Sequence, residues 1–213
     1  PIQKKHVFVV GFDAFNSEIL SHLPGSRYCE FHSALGFEEM RNEQHQVDLI
    51  GLIREACNRI DSSGVSPDAI LTYWDFPATL ITPVLCQRYG CRGPTLKSVV
   101  KCEHKFWSRM EQRKVIIDHI PNFHAFDPFG DNVLQSLGLM PPYWIKPIKS
   151  FRSFLAYRVN DERDFQAGIL EMQEHIPALA EPFKEFLKAY RMPQMITQME
   201  ESCIAESLLS GSQ

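Results

Sequence analysis

Over the first 95 residues, three short runs rich in apolar and aromatic side chains alternate with three stretches of helical character. Residues 6–11 (HVFVVG) end on a glycine and suit a strand buried on both faces. A helix over about 16–22 follows, and residues 27–32 can form a second strand. Val47, Ile50, Ile53, Cys57 and Ile60 then recur at helical spacing until Ser62, Ser63 and Gly64 stop the pattern. Residues 68–73 (DAILTY) supply a third strand, and the apolar stretch 77–89 a helix closed by Gly90. Strands alternating with helices in this way predict an open α/β layer with a parallel, Rossmann-like sheet and right-handed crossovers.

The pattern changes after Gly93-Pro94. A helix-rich stretch over about 98–120 ends at Pro121. Residues 122–127 read as a short strand and 131–137 as a short helix, and Pro141-Pro142 introduces the strand 143–147 (YWIKP). A tight polar loop at 148–152 joins that strand to 153–159 (SFLAYRV), which predicts a hairpin. Helices over about 161–175 and 181–190 come next, and 203–209 is the last apolar run. The expected organisation is an α/β domain over 1–95, a helical connection over 96–120 and a small α+β lobe with an antiparallel sheet over 121–213.

Composition narrows the function classes. The 22 Lys and Arg against 26 Asp and Glu, a net charge of −4, lack the basic excess of a chain held by phosphate backbones, so nucleic acid is not the expected partner. No apolar run approaches the roughly 20 residues that span a bilayer, and no secretory cleavage pattern opens the chain. The six cysteines form no CxxC pair and have no zinc spacing with histidine. Reduced thiols, a cytoplasmic address, no membrane association and no metal ligands within the chain are the expectations.

Residue 11 is a glycine after a strand, but it is followed by FDAFNSE, so the second and third glycines of a dinucleotide fingerprint are missing and a fold-organising role is expected. No P-loop pattern occurs. Lys146 sits among residues suited to burial, and a buried ammonium is costly unless an anion meets it, so a phosphate partner stands beside the alternative of a solvent-facing edge lysine. Lys149, Ser150, Arg152 and Ser153 follow on the hairpin turn and could close over phosphates, or form a solvated basic turn. Lys105 alone is an ordinary helical lysine. Glu206 follows a strand run. Asp13 and the Trp74-Asp75 pair stand at the predicted carboxyl edge of the sheet, where substrate contact competes with helix capping. His119 and His124 are expected to be surface or structural residues rather than metal ligands, because no acidic or thiol partner has suitable spacing.

In combination these segments resemble the ATP-grasp superfamily, including biotin carboxylase and the carboxylate–amine ligases. Gly93-Pro94 followed by SVVKCEHK, ending on Lys105, is similar to the family's approach to the grasp region, in which a lysine reaches nucleotide phosphates. The YWIKP strand with Lys146 is similar to its second lysine strand. Cys203 to Gly211, with Glu206, is similar to the hinge whose glutamate meets the adenine amino group and whose backbone near Leu208 and Leu209 meets the ring nitrogens. The three motifs fall in the family's order, 41 residues apart and then 60.

The resemblance implies a pre-ATP-grasp domain followed by a small ATP-grasp lobe, and binding of ATP through Lys105, Lys146, Ser150, Arg152, Ser153, Glu206, Leu208 and Leu209. It implies magnesium held by residues beyond 213, and ligation of a small-molecule carboxylate to an amine or similar nucleophile through an acyl phosphate. It also implies a fragment without turnover of its own, with a homodimer left open. A biotin carboxylase-like subunit and a non-catalytic scaffold are the alternatives. One departure matters: the phosphate-covering loop, usually glycine-rich, here reads IKSFRSF with no glycine.

Overall fold

The computed structural model describes residues 3–41, 47–151, 153–197 and 199–209. The chain divides into two compact units, residues 1–100 and 101–213.

In the first unit β1 (Lys5–Phe12) leads through α1 (Ala14–His22) to β2 (Cys29–Gly36). Then follow α2 (Phe37–Met40), α3 (Leu49–Ser62), β3 (Ala69–Thr72) and α4 (Ala78–Tyr89). The three strands form a parallel sheet in the order β2-β1-β3, as the strand and helix alternation predicts. β1 is central, and Val9 and Val10 are fully buried. Expected edges shift by a few residues, and the short α2 was not anticipated. Asp13 caps α1 by accepting from the Asn16 backbone N–H at 2.8 Å.

Gly11 organises the end of β1. Its φ is 87°, a left-handed value that favours glycine, and a Cβ there would stand 2.4 Å from Cδ1 of Trp74. That close approach lets the Trp74 indole N–H donate to the Gly11 carbonyl at 2.8 Å while the indole stacks on Phe37 at 4.1 Å between centroids.

α5 (Leu96–Glu103) spans the boundary between the units. The second unit continues with α6 (Lys105–Arg113), β4 (Phe123–Phe126), α7 (Val133–Ser136), β5 (Tyr143–Pro147) and β6 (Tyr157–Val159). It closes with α8 (Glu162–Ala189), α9 (Gln194–Thr197) and β7 (Cys203–Ser207). The four strands form an antiparallel sheet in the order β4-β7-β5-β6. Tyr143, Ile145, Val159, Cys203 and Ala205 pack on one face against Phe165, Ile169, Met172 and Ile176 of α8.

Three local expectations change. The stretch 98–120 is two helices separated at His104, whose Nδ1 accepts from the Trp107 N–H at 3.0 Å and so starts a new helix. The hairpin loop is longer than expected, because Ser153 and Leu155 take positive φ (56° and 58°) and postpone extended backbone until Tyr157. The two helices expected over 161–190 are one helix of 28 residues that continues through Pro177 and Pro182. Its buried stripe of Phe165, Ile169, Met172, Ile176, Ala180, Phe183 and Leu187 keeps helical spacing across both prolines, so packing outweighs the backbone bonds they remove.

Among the described residues no helix is long and apolar enough to cross a membrane. All six cysteines are unbridged.

Two stability outcomes follow. Gly11→Ala forces both the strained φ and a clash with Trp74, and should lower the unfolding free energy by about 1–3 kcal/mol in urea titrations. A loss no larger than that of an exposed surface substitution contradicts the role given to Gly11. On β5, Ile145→Ala empties a fully buried position and should cost about 2–5 kcal/mol, whereas Trp144→Ala on the opposite face should cost clearly less. Equal losses would contradict the register.

Candidate nucleotide-binding site

The antiparallel pairing of β5 with β7 sets Trp144 opposite Glu206 and Lys146 opposite Ile204. Side chains alternate along a strand, so these four share the face turned away from α8. On the other flank of β7, Phe123 stands opposite Glu206. Phe106 of α6 meets Phe123 edge-on at 5.7 Å, which seats α6 over this face. Lys105 and Arg109, four residues apart on α6, lie on one side of that helix.

Glu206 is the centre of the arrangement and only 4% exposed. Its Oε1 accepts from Arg109 Nε at 2.5 Å, and its Oε2 is ion-paired with Lys146. Burial alone would raise its carboxyl, but the hydrogen bonds and charges of Lys146 and Arg109 hold it below the usual carboxylate range. Arg109 also donates to the Gln112 side chain at 2.7 Å, which fixes the guanidinium from a second direction.

Lys105 completes the cluster. Its Nζ donates to the Ser150 carbonyl at 2.9 Å and the Ser150 hydroxyl at 3.0 Å. Burial lowers its pKa to about 7, with the charges of Lys149 and Lys146 acting in the same direction and Glu206 and Glu103 opposing. Lys105, Lys146 and Glu206 therefore stand within one electrostatic neighbourhood. Lys149 is buried, ion-paired with Glu103, and its ammonium lies 5.1 Å from the Phe183 ring centroid. Four basic side chains, Lys105, Arg109, Lys146 and Lys149, thus gather around two carboxylates, a positive surplus that attracts an anion.

Of the other residues expected in the site, Ser150 is held in the cluster by Lys105. Ser153 is exposed on the turn that follows, and Arg152 lies outside the described residues. Leu208 is half-buried and Leu209 is 66% exposed, both directly after β7. Sequence reasoning missed Arg109 and Glu103. The i,i+4 spacing from Lys105 was the available signal for Arg109, whereas nothing local marks Glu103 as the partner of Lys149.

Two buried groups border the cluster electrostatically. His104 is fully buried, its Nε2 has no hydrogen-bond partner among the described residues, and burial lowers its pKa to about 4, so its ring is neutral. Glu200 is 2% exposed, and among the described residues neither of its carboxyl oxygens has a hydrogen-bond partner. Burial pushes it up to about 8 against the pull of Lys149 and Lys184, so it is protonated at neutral pH.

The cluster offers cations to an anion rather than free carboxylate donors to a magnesium ion. Both carboxylates in the cluster are already bound to cations. His119 and His124 belong to no group of potential metal ligands among the described residues.

The first unit holds a separate cavity of about 640 Å³ at the carboxyl edge of its parallel sheet, lined by Asp13, Phe15, Asn16, Phe37, Tyr73 and Trp74 among others. Trp74 and Asp13 both have structural bonds there, so the cavity wall is fixed by the fold itself.

No family model matches the sequence, and no curated protein matches it either. Solved structures do. An L-amino acid ligase from Bacillus licheniformis is similar over 98% of this chain and 45% of its own, at 14% identity and a TM-score of 0.58. A D-alanine–D-alanine ligase from Bacillus anthracis matches 98% of this chain and 58% of its own, at 14% identity and a TM-score of 0.55. An N5-carboxyaminoimidazole ribonucleotide synthetase solved as an ADP complex matches 98% and 48%, at 10% identity and a TM-score of 0.54. The chain thus spans about half the length of these three enzymes, and at such identities the likeness is one of fold. Over nearly all of its own length, this chain has the fold of part of the ATP-grasp ligases, the family that the order of its motifs resembles.

Proposed function

We propose that this chain is the front portion of an ATP-dependent ligase, with residues 1–95 as its pre-ATP-grasp domain, 96–120 as a helical connection and 121–213 as the small ATP-grasp lobe. The observation that carries the reading is the convergence of Lys105, Lys146 and Arg109 around the single buried carboxylate of Glu206. The fold shared with two amino acid-joining ligases and an enzyme solved with ADP supports it.

In this reading Lys105 and Lys146 turn from Ser150 and Glu206 to the nucleotide phosphates, and Glu206 accepts from the adenine amino group. Backbone near Leu208 and Leu209 meets the ring, while Ser150, Arg152 and Ser153 close over the phosphates. A substrate carboxylate oxygen attacks the terminal phosphorus and ADP leaves. The resulting acyl phosphate is then attacked by an amine, and phosphate departs. Magnesium, when bound, neutralises charge on the transferring group. The reading takes its ligands from outside residues 1–213, as the family resemblance implies, since within the cluster Glu206 and Glu103 are committed to cations.

A non-catalytic scaffold is favoured by two observations: Lys146 and Arg109 already have a counter-ion in Glu206, and the loop after β5 has no glycine to bend its backbone over phosphates. Nucleotide binding without turnover by the longer protein would select that reading.

Calorimetric titration with ATP tests the site. Lys146→Ala removes one charge-assisted contact and should weaken binding by about 10- to 100-fold, with the fold checked by circular dichroism. Unchanged affinity would sink the assignment.

The pH dependence has a defined sign. A phosphate favours the ammonium form of Lys105, so binding raises a pKa that starts at about 7. Affinity should be flat below pH 7 and fall as pH rises above it, with net proton uptake near pH 8 seen by titrating in buffers of different ionisation enthalpy. Lys105→Met should flatten the profile. Proton release on binding, or a profile unaltered by the substitution, contradicts the role of Lys105.

A further inference from the structure

In the first unit, at the amino edge of the parallel sheet, three potential metal ligands come together across β1 and β2. Parallel register sets His6 beside Glu30, and His32 follows Glu30 by two residues, so all three side chains stand on one face. His6 Nδ1 lies 3.0 Å from His32 Nε2 and 4.0 Å from a Glu30 carboxylate oxygen. One ligand atom from each residue lies within 4.8 Å of the others. Both rings are partly buried, and the His32 ring stacks on Phe8 at 4.8 Å between centroids, which limits its rotation.

We propose that His6, Glu30 and His32 form a zinc site with a water in the fourth position. Tetrahedral zinc with bonds of about 2.0–2.1 Å separates its donors by about 3.3 Å, so the two imidazole nitrogens are already spaced for one ion. Glu30 is more than half exposed and can close the remaining distance by a change of rotamer. The neighbouring carboxylate does not compete, because Asp68 is held by Lys5 at 2.7 Å and by the His6 backbone N–H at 2.9 Å. Two imidazoles and a carboxylate are a donor set that suits zinc. An ion there would staple the β2 edge strand to β1 and rigidify the sheet at the end opposite the apolar cavity. The alternative is a pair of imidazoles sharing one proton, with no affinity for metal.

The experiment uses the chelator-stripped chain of 213 residues, titrated with cobalt(II) chloride and followed by visible absorption. Expected are tetrahedral d–d bands that saturate at one cobalt per chain and vanish on adding zinc chloride, together with a thermal midpoint raised by zinc. His6→Ala and His32→Ala should each abolish the bands. Glu30→Gln, an exposed change that cannot unfold the sheet, should weaken zinc binding by more than the roughly 10- to 100-fold that loss of an outer-shell partner costs. The exposed His22→Ala should leave the titration unchanged. Absence of bands, bands that survive both histidine substitutions, or intense thiolate charge-transfer absorption from cysteine ligation would overturn the proposal. If His32→Ala does not fold, the parent titration and Glu30→Gln still decide it.

Discussion

The buried carboxylate of Glu206 is the point on which the second unit turns. It lies on the central strand β7, takes Lys146 from the neighbouring strand β5 and takes Arg109 from α6, so one group ties two strands and a helix together on the sheet face away from α8. A buried ion pair of this kind adds little net stability, because desolvation offsets much of the Coulomb attraction. Its effect is positional. Removing the carboxylate would leave two cations facing each other in a partly dry setting, so α6 and β5 can keep their places only while an anion stands between them.

That dependence links the cluster to ligand chemistry. One carboxylate serves two full cations, and Lys105, a third, is depressed to about 7 by burial and by its positive neighbours. The cluster therefore carries more positive charge than it neutralises, and it does so on a preformed face. Fixing charge before the ligand arrives is costly to the fold but useful for recognition, since the cations are already gathered and only their side chains need to change partners on binding. The hydrogen bonds from Lys105 to Ser150 add a coupling. On the proposed reading, an anion that claims the ammonium also releases the loop that carries Ser150.

The legible parts of this structure were those set by local pattern. Strand and helix alternation predicts the parallel sheet, the YWIKP run is a strand with its expected bounds, and of the two roles open to Asp13 helix capping is seen in its bond to Asn16. Errors occurred where tertiary packing overrode local signals. Pro177 and Pro182 argue for a helix break, but the apolar stripe on either side carries α8 past them. Positive φ at Ser153 and Leu155, neither a glycine, shortened the strand that pairs with β5. Family order points to Lys105, Lys146 and Glu206, whereas Arg109 is marked only by its i,i+4 spacing from Lys105, a weak signal for an arginine in a polar helix.

Both candidate sites are products of strand register. Glu206 meets Lys146 because β7 runs antiparallel to β5, and His6 meets His32 because β1 and β2 run parallel with His6 beside Glu30. A shift of one residue in either pair would turn the side chains of one strand to the opposite face and dissolve the constellation without changing any residue. Contacts at helical spacing are implied by the sequence itself, but cross-strand contacts exist only once pairing partner and register are set. This explains how a fold can persist at 10–14% identity, since alternating burial preserves the register, while the chemistry on its faces is free to diverge. The grouping around Glu206 and the grouping around His32 each follow from the register of their own sheet, antiparallel in one and parallel in the other.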